Sequence, residues 1–456
     1  MIVGLALSSI VQTVVAIAQK NGCINSNHAY LDVTGSFGNS GPLGGFMAIC
    51  LVWLWTLSFS KKLSIKTHFL LKIICCIALV GILLAESRAA GLAVVVGILL
   101  YHIYKIQGEK LRILAIVISV LLLTIMSVYF YFIRPSSADA RLTIWKTCWN
   151  QTSHPIVSGY GTASFSATYM NLQIKELDKS TEEVRQKADD VRSAFNESLQ
   201  LYYENGLIGC FLFLIFLYFA ARNQFKLMKH DDYRTGIFPL FAYLVFSQFS
   251  YPSSVPPLQL LITAILAADL KGHHNYAFFP RSIVLAVRSV SLALCLSCII
   301  LMFTRVSIYS HVKAYCHFRM DSVLPNGILP RWVVHHDPYL LAICAQAQML
   351  VGDEWEALRT LNFLQAFVHT ARIQMRKACI YESLGKIEEA LRCYRLVQAM
   401  RPGLLEPLFA EFQLLRLRSD LEAHRLAERI VLFNPKINNS RTEAMKAEVL
   451  RYLKSN

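Results

Sequence analysis

LRILAIVISVLLLTIMSVYFYFIR, residues 111–134, holds no charged side chain between Arg112 and Arg134. A helix needs about 17–25 apolar residues to cross roughly 30 Å of hydrocarbon, and the run 112–133 meets that requirement. Lipid offers no partner to backbone N–H and C=O groups, so a spanning segment must satisfy them internally, which favours a helix. Working outward, eight more apolar runs occur at about 2–17, 41–58, 68–85, 89–104, 207–221, 237–250, 257–270 and 283–304. The fold expected is therefore all-α: a polytopic helical membrane protein of about nine spans, with 207–221 and 237–250 the shortest. The composition agrees, because 55% of residues are hydrophobic and only 16% charged, a balance that argues against a soluble globule. The first run lacks a basic leader, so it reads as a true span or the remnant of a longer N-terminus rather than a cleaved signal.

The net charge of +15 would fit a nucleic-acid binder if the basic residues formed one patch. They are instead distributed by loop. Lys61, Lys62 and Lys66 share one short loop, Lys105, Lys110 and Arg112 the next, Arg222, Lys226, Lys229 and Arg234 a third, and Lys271 and Arg281 a fourth. The alternate loops carry little beyond Lys20 and Arg88. Such asymmetry is the positive-inside pattern, which puts the N-terminus in the cytoplasm. With nine spans, the polar segment 134–206 and everything beyond about 305 then lie outside the cytoplasm. Nucleic acid is not an expected partner; membrane lipids are.

Two regions follow: a membrane domain over 1–304, containing the polar excursion 134–206, and a helical tail over 305–456. In the tail, Gly352, Glu356, Ala357 and Leu358 recur 33 residues later as Gly385, Glu389, Ala390 and Leu391. Pro402 recurs at the same interval as Pro435. The run Tyr381 to Tyr394 closed by Pro402 resembles the tetratricopeptide repeat, with its period of about 34. That resemblance implies paired helices presenting a surface to a protein partner; a folded cap on the membrane domain explains the same pattern.

Four polar clusters fall in the outward segments. The first is GSFGNSGP at 35–42, a turn whose glycines could present N–H groups to an anion, with Asn39 its polar side chain. The second is Glu86–Ser87–Arg88, which sets an arginine at the mouth of a span, where its charge calls for a partner. In the third, Arg141 begins a helical face shared by Leu142, Trp145 and Trp149 and followed by Gly159–Tyr160–Gly161; that face suits a helix at headgroup depth. The fourth is a predicted helix over 181–205, started by Ser180 and Glu183 and stopped by Gly206. Val191, Phe195 and Leu199 lie on its apolar stripe, and Arg185, Asp189, Arg192 and Asn196 on a polar one that would serve equally as a solvated face.

The order of these clusters resembles the O-antigen ligase family. The resemblance rests on the GSFGN turn, on Ser87–Arg88 opening a span, and on Arg141…Trp145 followed by Gly–Tyr–Gly. It rests also on FNESLQ at 195–200 with ENGLIG at 204–209, and it covers about residues 30–215. The family includes bacterial oligosaccharyltransferases acting on protein hydroxyls and is related to polysaccharide polymerases. The resemblance implies a metal-free, cofactor-free, inverting membrane glycosyltransferase of the all-helical C type. Such enzymes move a glycan from a polyprenyl diphosphate carrier to an acceptor, either lipid A–core or a protein. Arginine forks match phosphate oxygens, so Arg88 and Arg141 are the candidates to hold the diphosphate, with Arg192 next. Arg185, Asp189, Asn39 and Tyr160 are candidates for substrate contact, Asn196 for a hydrogen bond to donor or acceptor, and Glu197, or Asp189 with Asp190, for orienting the acceptor hydroxyl. Two departures stand out: the membrane part is shorter at its N-terminus than the family's, and Phe195 occupies the place where many members carry histidine. A polymerase is the nearest competing function and a non-catalytic scaffold a more distant one.

Overall fold

The computed structural model describes residues 2–455 apart from 27, 29, 30, 61, 62, 151–154, 231–235, 269–280, 319–321, 325, 326 and 419. All regular structure among the described residues is helical. By internal packing the chain forms two units, Met1–Arg141 with His154–Tyr160 and Ser193–Ala277, and Leu142–Ser153 with Gly161–Arg192 and Phe278–Asn456.

The first unit begins with α1 (Ile2–Lys20), α2 (Ser40–Leu57), α3 (Ile65–Leu84), α4 (Arg88–Lys105) and α5 (Glu109–Ile133). Helix α6 (Pro135–Trp149) starts in it, and α7 (Phe165–Leu177) and α8 (Glu182–Lys187) belong to the second unit. The first unit resumes with α9 (Glu197–His230), α10 (Ile237–Ser247), a 3-10 turn at Pro252–Ser254 and α11 (Pro256–Ala268). Helix α2 is the hub, packing on α1, α3, α4 and α10, with Leu43, Met47, Trp53 and Leu54 fully buried. Its paired glycines allow this. A Cβ at Gly44 would meet Ser87 Cβ at 2.5 Å, and one at Gly45 would meet the Phe246 ring at 2.3 Å. Side chains there would hold α4 and α10 away from the hub.

Among the described residues, six helices are long and apolar enough to cross a membrane: α1 to α5 and α9 from Glu197 to Arg222. Helix α5 leaves Val117, Leu121, Ile125 and Phe132 exposed, and α9 leaves Leu207, Phe211, Leu214 and Tyr218 exposed. Continuous apolar faces of that size suit lipid rather than water. The seventh and eighth predicted spans are shorter than expected, at 11 and 13 residues. At about 1.5 Å per residue neither reaches across 30 Å. Pro252, Pro256 and Pro257 explain the interruption, since proline lacks the N–H a continuing helix requires. The ninth run lies in α12 (Arg281–Phe318), where the side chains of 281–288, 291, 292, 294 and 295 fall outside the described residues.

The helix predicted over 181–205 is broken. Helix α8 ends at Lys187, residues 188–196 are not helical, and α9 begins at Glu197. Tertiary partners override the local pattern. Asp189 pairs with Arg401 at 2.7 Å and Lys436 at 3.0 Å, and Asp190 accepts the Ala371 N–H at 2.7 Å. Gly206 does stop a helix, as expected: its φ of 59° and ψ of −158° are not helical, and they divide α9 into two helices that meet at a kink. A Cβ there would meet Val157 O at 2.4 Å, so glycine is needed for both the turn and the contact.

The second unit continues from α12 through α13 (Ile328–His335), α14 (Pro338–Val351), α15 (Glu354–Gln365), α16 (Ala371–Ser383) and α17 (Ile387–Met400). It closes with α18 (Glu406–Leu415), α19 (Asp420–Leu432) and α20 (Ser440–Ser455). Helices pack on their chain neighbours, α14 on α15, α16 on α17, and α18 on α19. Asp337 caps α14 by accepting from the N–H groups of Tyr339 and Leu340, with Pro338 following, and Gly352 ends it at φ 85°. Thr370 caps α16 in the same way. Ala357 and Ala390, one interval apart in sequence, are both fully buried. Helix α7 packs on α17, and Gln173 Nε2 donates to Met400 O at 2.9 Å.

Candidate functional site

In the first unit, the end where α2 and α4 begin carries a cavity of about 180 Å³. Asn39, Ser40 and Gly41 bring the start of α2 to it, and Ser87, Arg88 and Ala89 the start of α4. Asn39 caps α2 by accepting from Gly41 N–H at 2.9 Å, and Ser87 caps α4 by accepting from Ala90 N–H at 3.4 Å. The first turn of a helix has N–H groups without intrahelical partners and carries about half a positive charge. Gly44 lets two such ends meet at one place.

Three arginines, Arg88, Arg134 and Arg141, and one carboxylate, Glu86, line the cavity among its described residues. Arg88 Nη1 donates to Phe130 O at 2.5 Å and to Arg134 O at 3.3 Å, which ties the mouth of α4 to the end of α5. Arg134 pairs with Glu86. The Arg141 guanidinium lies 5.4 Å from the centre of the Phe195 ring, and that ring meets Tyr251 edge-on at 5.4 Å. Burial, and next the like charge of Arg88, push Arg141 below the ordinary guanidinium value, with Tyr251 acting in the opposite sense. Burial raises the Tyr251 hydroxyl while Arg141 lowers it, so Tyr251 presents an O–H rather than a charge near neutral pH. Cations gathered with less than matching negative charge make an anion site.

The backbone here is strained. Glu86, Ala163 and Phe195 are the non-glycine residues with positive φ among those described, and two of them, Glu86 at 49° and Phe195 at 51°, line this cavity. Left-handed geometry costs an L-residue about 1–2 kcal/mol, and strain of this kind gathers at functional sites.

The sites predicted from sequence separate. Arg88, Arg141 and Asn39 come together in this cavity. Asn196 caps α9 instead, its Oδ1 accepting from Leu199 N–H at 2.9 Å. Phe195 therefore precedes the helix and forms a cavity wall, where an apolar stripe was expected. Glu197 accepts from Ser253 N–H and from the Tyr243 hydroxyl, which anchors the turn that carries Tyr251. Tyr160 packs on Tyr203 at 4.8 Å between ring centres, and its N–H donates to Tyr203 O at 3.0 Å. Gly159 and Tyr160 thus brace α9 near its kink. Arg185, Asp189 and Arg192 belong to the second unit: Arg185 pairs with Glu182 at 3.8 Å, and Arg192 is exposed. In the GSFGN turn the first three amides are already engaged: Gly35 N–H donates to Gln19 Oε1 at 2.8 Å, Ser36 N–H to Gln12 Oε1 at 3.1 Å and Phe37 N–H to Thr34 O at 3.1 Å.

Sequence reasoning missed Arg134 and Tyr251. In the sequence Arg134 reads as the edge of a span, and Tyr251 falls between two apolar runs, where the polar stretch Gln248 to Ser254 is a local signal.

The motif order now has a geometry to accompany it. Residues 73–214 match the sequence model of the O-antigen ligase family. The matched stretch runs from within α3 to within α9 and contains Glu86, Arg88, Arg134, Arg141 and Phe195. No curated protein and no solved structure matches the chain. The chain is thus a helical membrane protein with a segment that is similar to the O-antigen ligase family.

Proposed function

We propose that the protein transfers a glycan from a polyprenyl diphosphate carrier to an acceptor, lipid A–core or a protein hydroxyl, at the extracytoplasmic face of the bacterial inner membrane. The observation that carries this reading is the convergence of Arg88, Arg134, Arg141 and two helix N-termini on one cavity at the end of an apolar bundle. As the sugar C1–O bond breaks, negative charge gathers on phosphate oxygen. Charges already in place can lower that barrier by several kcal/mol without reorganising. Arg88 and Arg141 would hold the departing diphosphate. Phe195 would keep the Arg141 guanidinium plane fixed, and the exposed faces of α5 and α9 give a carrier lipid an apolar approach.

Topology supports the placement. The lysine-rich loops belong to the opposite ends of these helices in sequence order. The pair α10–α11 leaves the sidedness of the later chain unchanged whether it crosses or turns back. The helical tail would then stand in the periplasm, where it would bind a protein partner. Deleting the gene and analysing surface glycans tests the reading. Loss of attached glycan with polymer accumulating on the carrier means ligation, single repeat units mean polymerisation, and unmodified periplasmic proteins mean protein transfer. Unchanged glycans would overturn the proposal.

A further inference from the structure

A second cavity, of about 230 Å³, adjoins the first and shares Ser40, Glu86 and Arg134 with it. Lys20, Leu31 and Asp32 line its other side. The Glu86–Arg134 pair therefore forms the wall between a cavity rich in arginine and a cavity of mixed polarity. Glycan transfer with inversion needs just such a division, because the acceptor must reach the sugar carbon from the side opposite the departing diphosphate.

Resting on the glycan-transfer reading above, we propose that the second cavity receives the hydroxyl acceptor and that Glu86 is the base that takes its proton. The carboxylates that sequence reasoning offered for this task are otherwise engaged. Glu197 holds Ser253, Asp189 holds Arg401 and Lys436, and Asp190 caps α16 at Ala371. Glu86 is the carboxylate among the described residues lining the arginine cavity, it faces both cavities, and it is held at φ 49°. A positioned carboxylate within reach of both reactants is adequate as a general base.

The step balances. The acceptor O–H gives its proton to Glu86 while its oxygen bonds to sugar C1; the C1–O bond to phosphate breaks, and its electron pair stays on the diphosphate facing Arg88 and Arg141. Glu86 then returns the proton to the departing diphosphate or to water. Arg134 links the two events. It pairs with Glu86; a diphosphate in the first cavity would compete for it and free the carboxylate as donor binds.

The test uses the full-length protein in two assays. One measures attached and carrier-linked glycan in the deletion strain carrying each variant. The other measures binding of a long-chain polyprenyl diphosphate to the purified protein in detergent. Glu86→Gln should bind the diphosphate within about threefold of wild type yet reduce attached glycan by about a hundredfold, the scale of general-base catalysis, with carrier-linked glycan accumulating. Glu86→Asp should retain part of the transfer. Arg134→Gln should weaken diphosphate binding, and Leu31→Trp, which fills the second cavity, should block transfer while leaving that binding intact. Wild-type transfer by Glu86→Gln overturns the proposal. So does a loss of diphosphate binding equal to that of Arg134→Gln, since Glu86 would then only position the arginine. If the wild-type protein neither binds the diphosphate nor alters cell glycans, the glycan-transfer reading itself fails, and that result differs from either of the others.

Discussion

Replacing Arg141 by alanine tests the anion site directly, and its effects on stability and on binding should diverge. Arg141 gains from lying 5.4 Å over Phe195, a contact worth about 0.5–2 kcal/mol. Against that stand its burial and the like charge of Arg88, the two causes that lower its pKa. These contributions oppose each other, so the thermal midpoint of Arg141→Ala without ligand should stay close to wild type. Binding is different, because no opposing term remains once a phosphate supplies the missing negative charge. A hydrogen bond to a charged group contributes about 1.5–3 kcal/mol, or roughly ten- to a hundredfold in affinity. The assay is titration of purified protein in detergent with polyprenyl diphosphate, alongside attached glycan in cells. Arg141→Ala should lose at least about tenfold in both, and Arg141→Lys should recover only part, since an ammonium offers a point charge and not a fork. Wild-type affinity in Arg141→Ala, with normal folding, would refute the assignment of this cavity to the diphosphate.

Gly44→Ala should lower expression and transfer together, because its Cβ would press on Ser87 at 2.5 Å and separate the two helix starts; a folded variant with wild-type transfer would show that their approach is dispensable. Asn196→Ala should reduce stability by about 0.5–2 kcal/mol through loss of the α9 cap, while Asn196→Asp, which caps equally well, should restore it; a transfer defect in both with normal melting would return Asn196 to the substrate. In the second unit, burial and the neighbouring Lys377 lower the pKa of His369 from 6.5, with Asp190 opposing. The unfolded chain therefore binds a proton that the folded chain refuses, so this stability is complete above pH 6.5 and declines as pH falls through that value toward the folded pKa. Thermal melts of full-length His369→Gln across acid pH should show a shallower decline than wild type; an identical slope would exclude His369 as its source.

Hydropathy made the all-helical membrane fold legible because it is local: each span is a contiguous apolar run, and its length alone meets the requirement of the bilayer. The arginines at the span mouths were legible for the same reason, since a charge beside lipid is conspicuous wherever it occurs. The helix expected over 181–205 shows where local reading stops. Its periodicity was real, yet Asp189 and Asp190 bond to residues about 180 to 250 positions away, and such partners leave no mark in a short window. The same holds for the cavity. Arg134 and Tyr251 join Arg88 only because Gly44 and Gly45 let α4 and α10 close on α2 and because Glu197 holds the turn after α10. The sequence by itself thus determined which segments are apolar enough for a bilayer and the family that the central stretch resembles. Tertiary packing alone decided which polar groups share a site, since their proximity depends on close contacts between helices far apart in the chain.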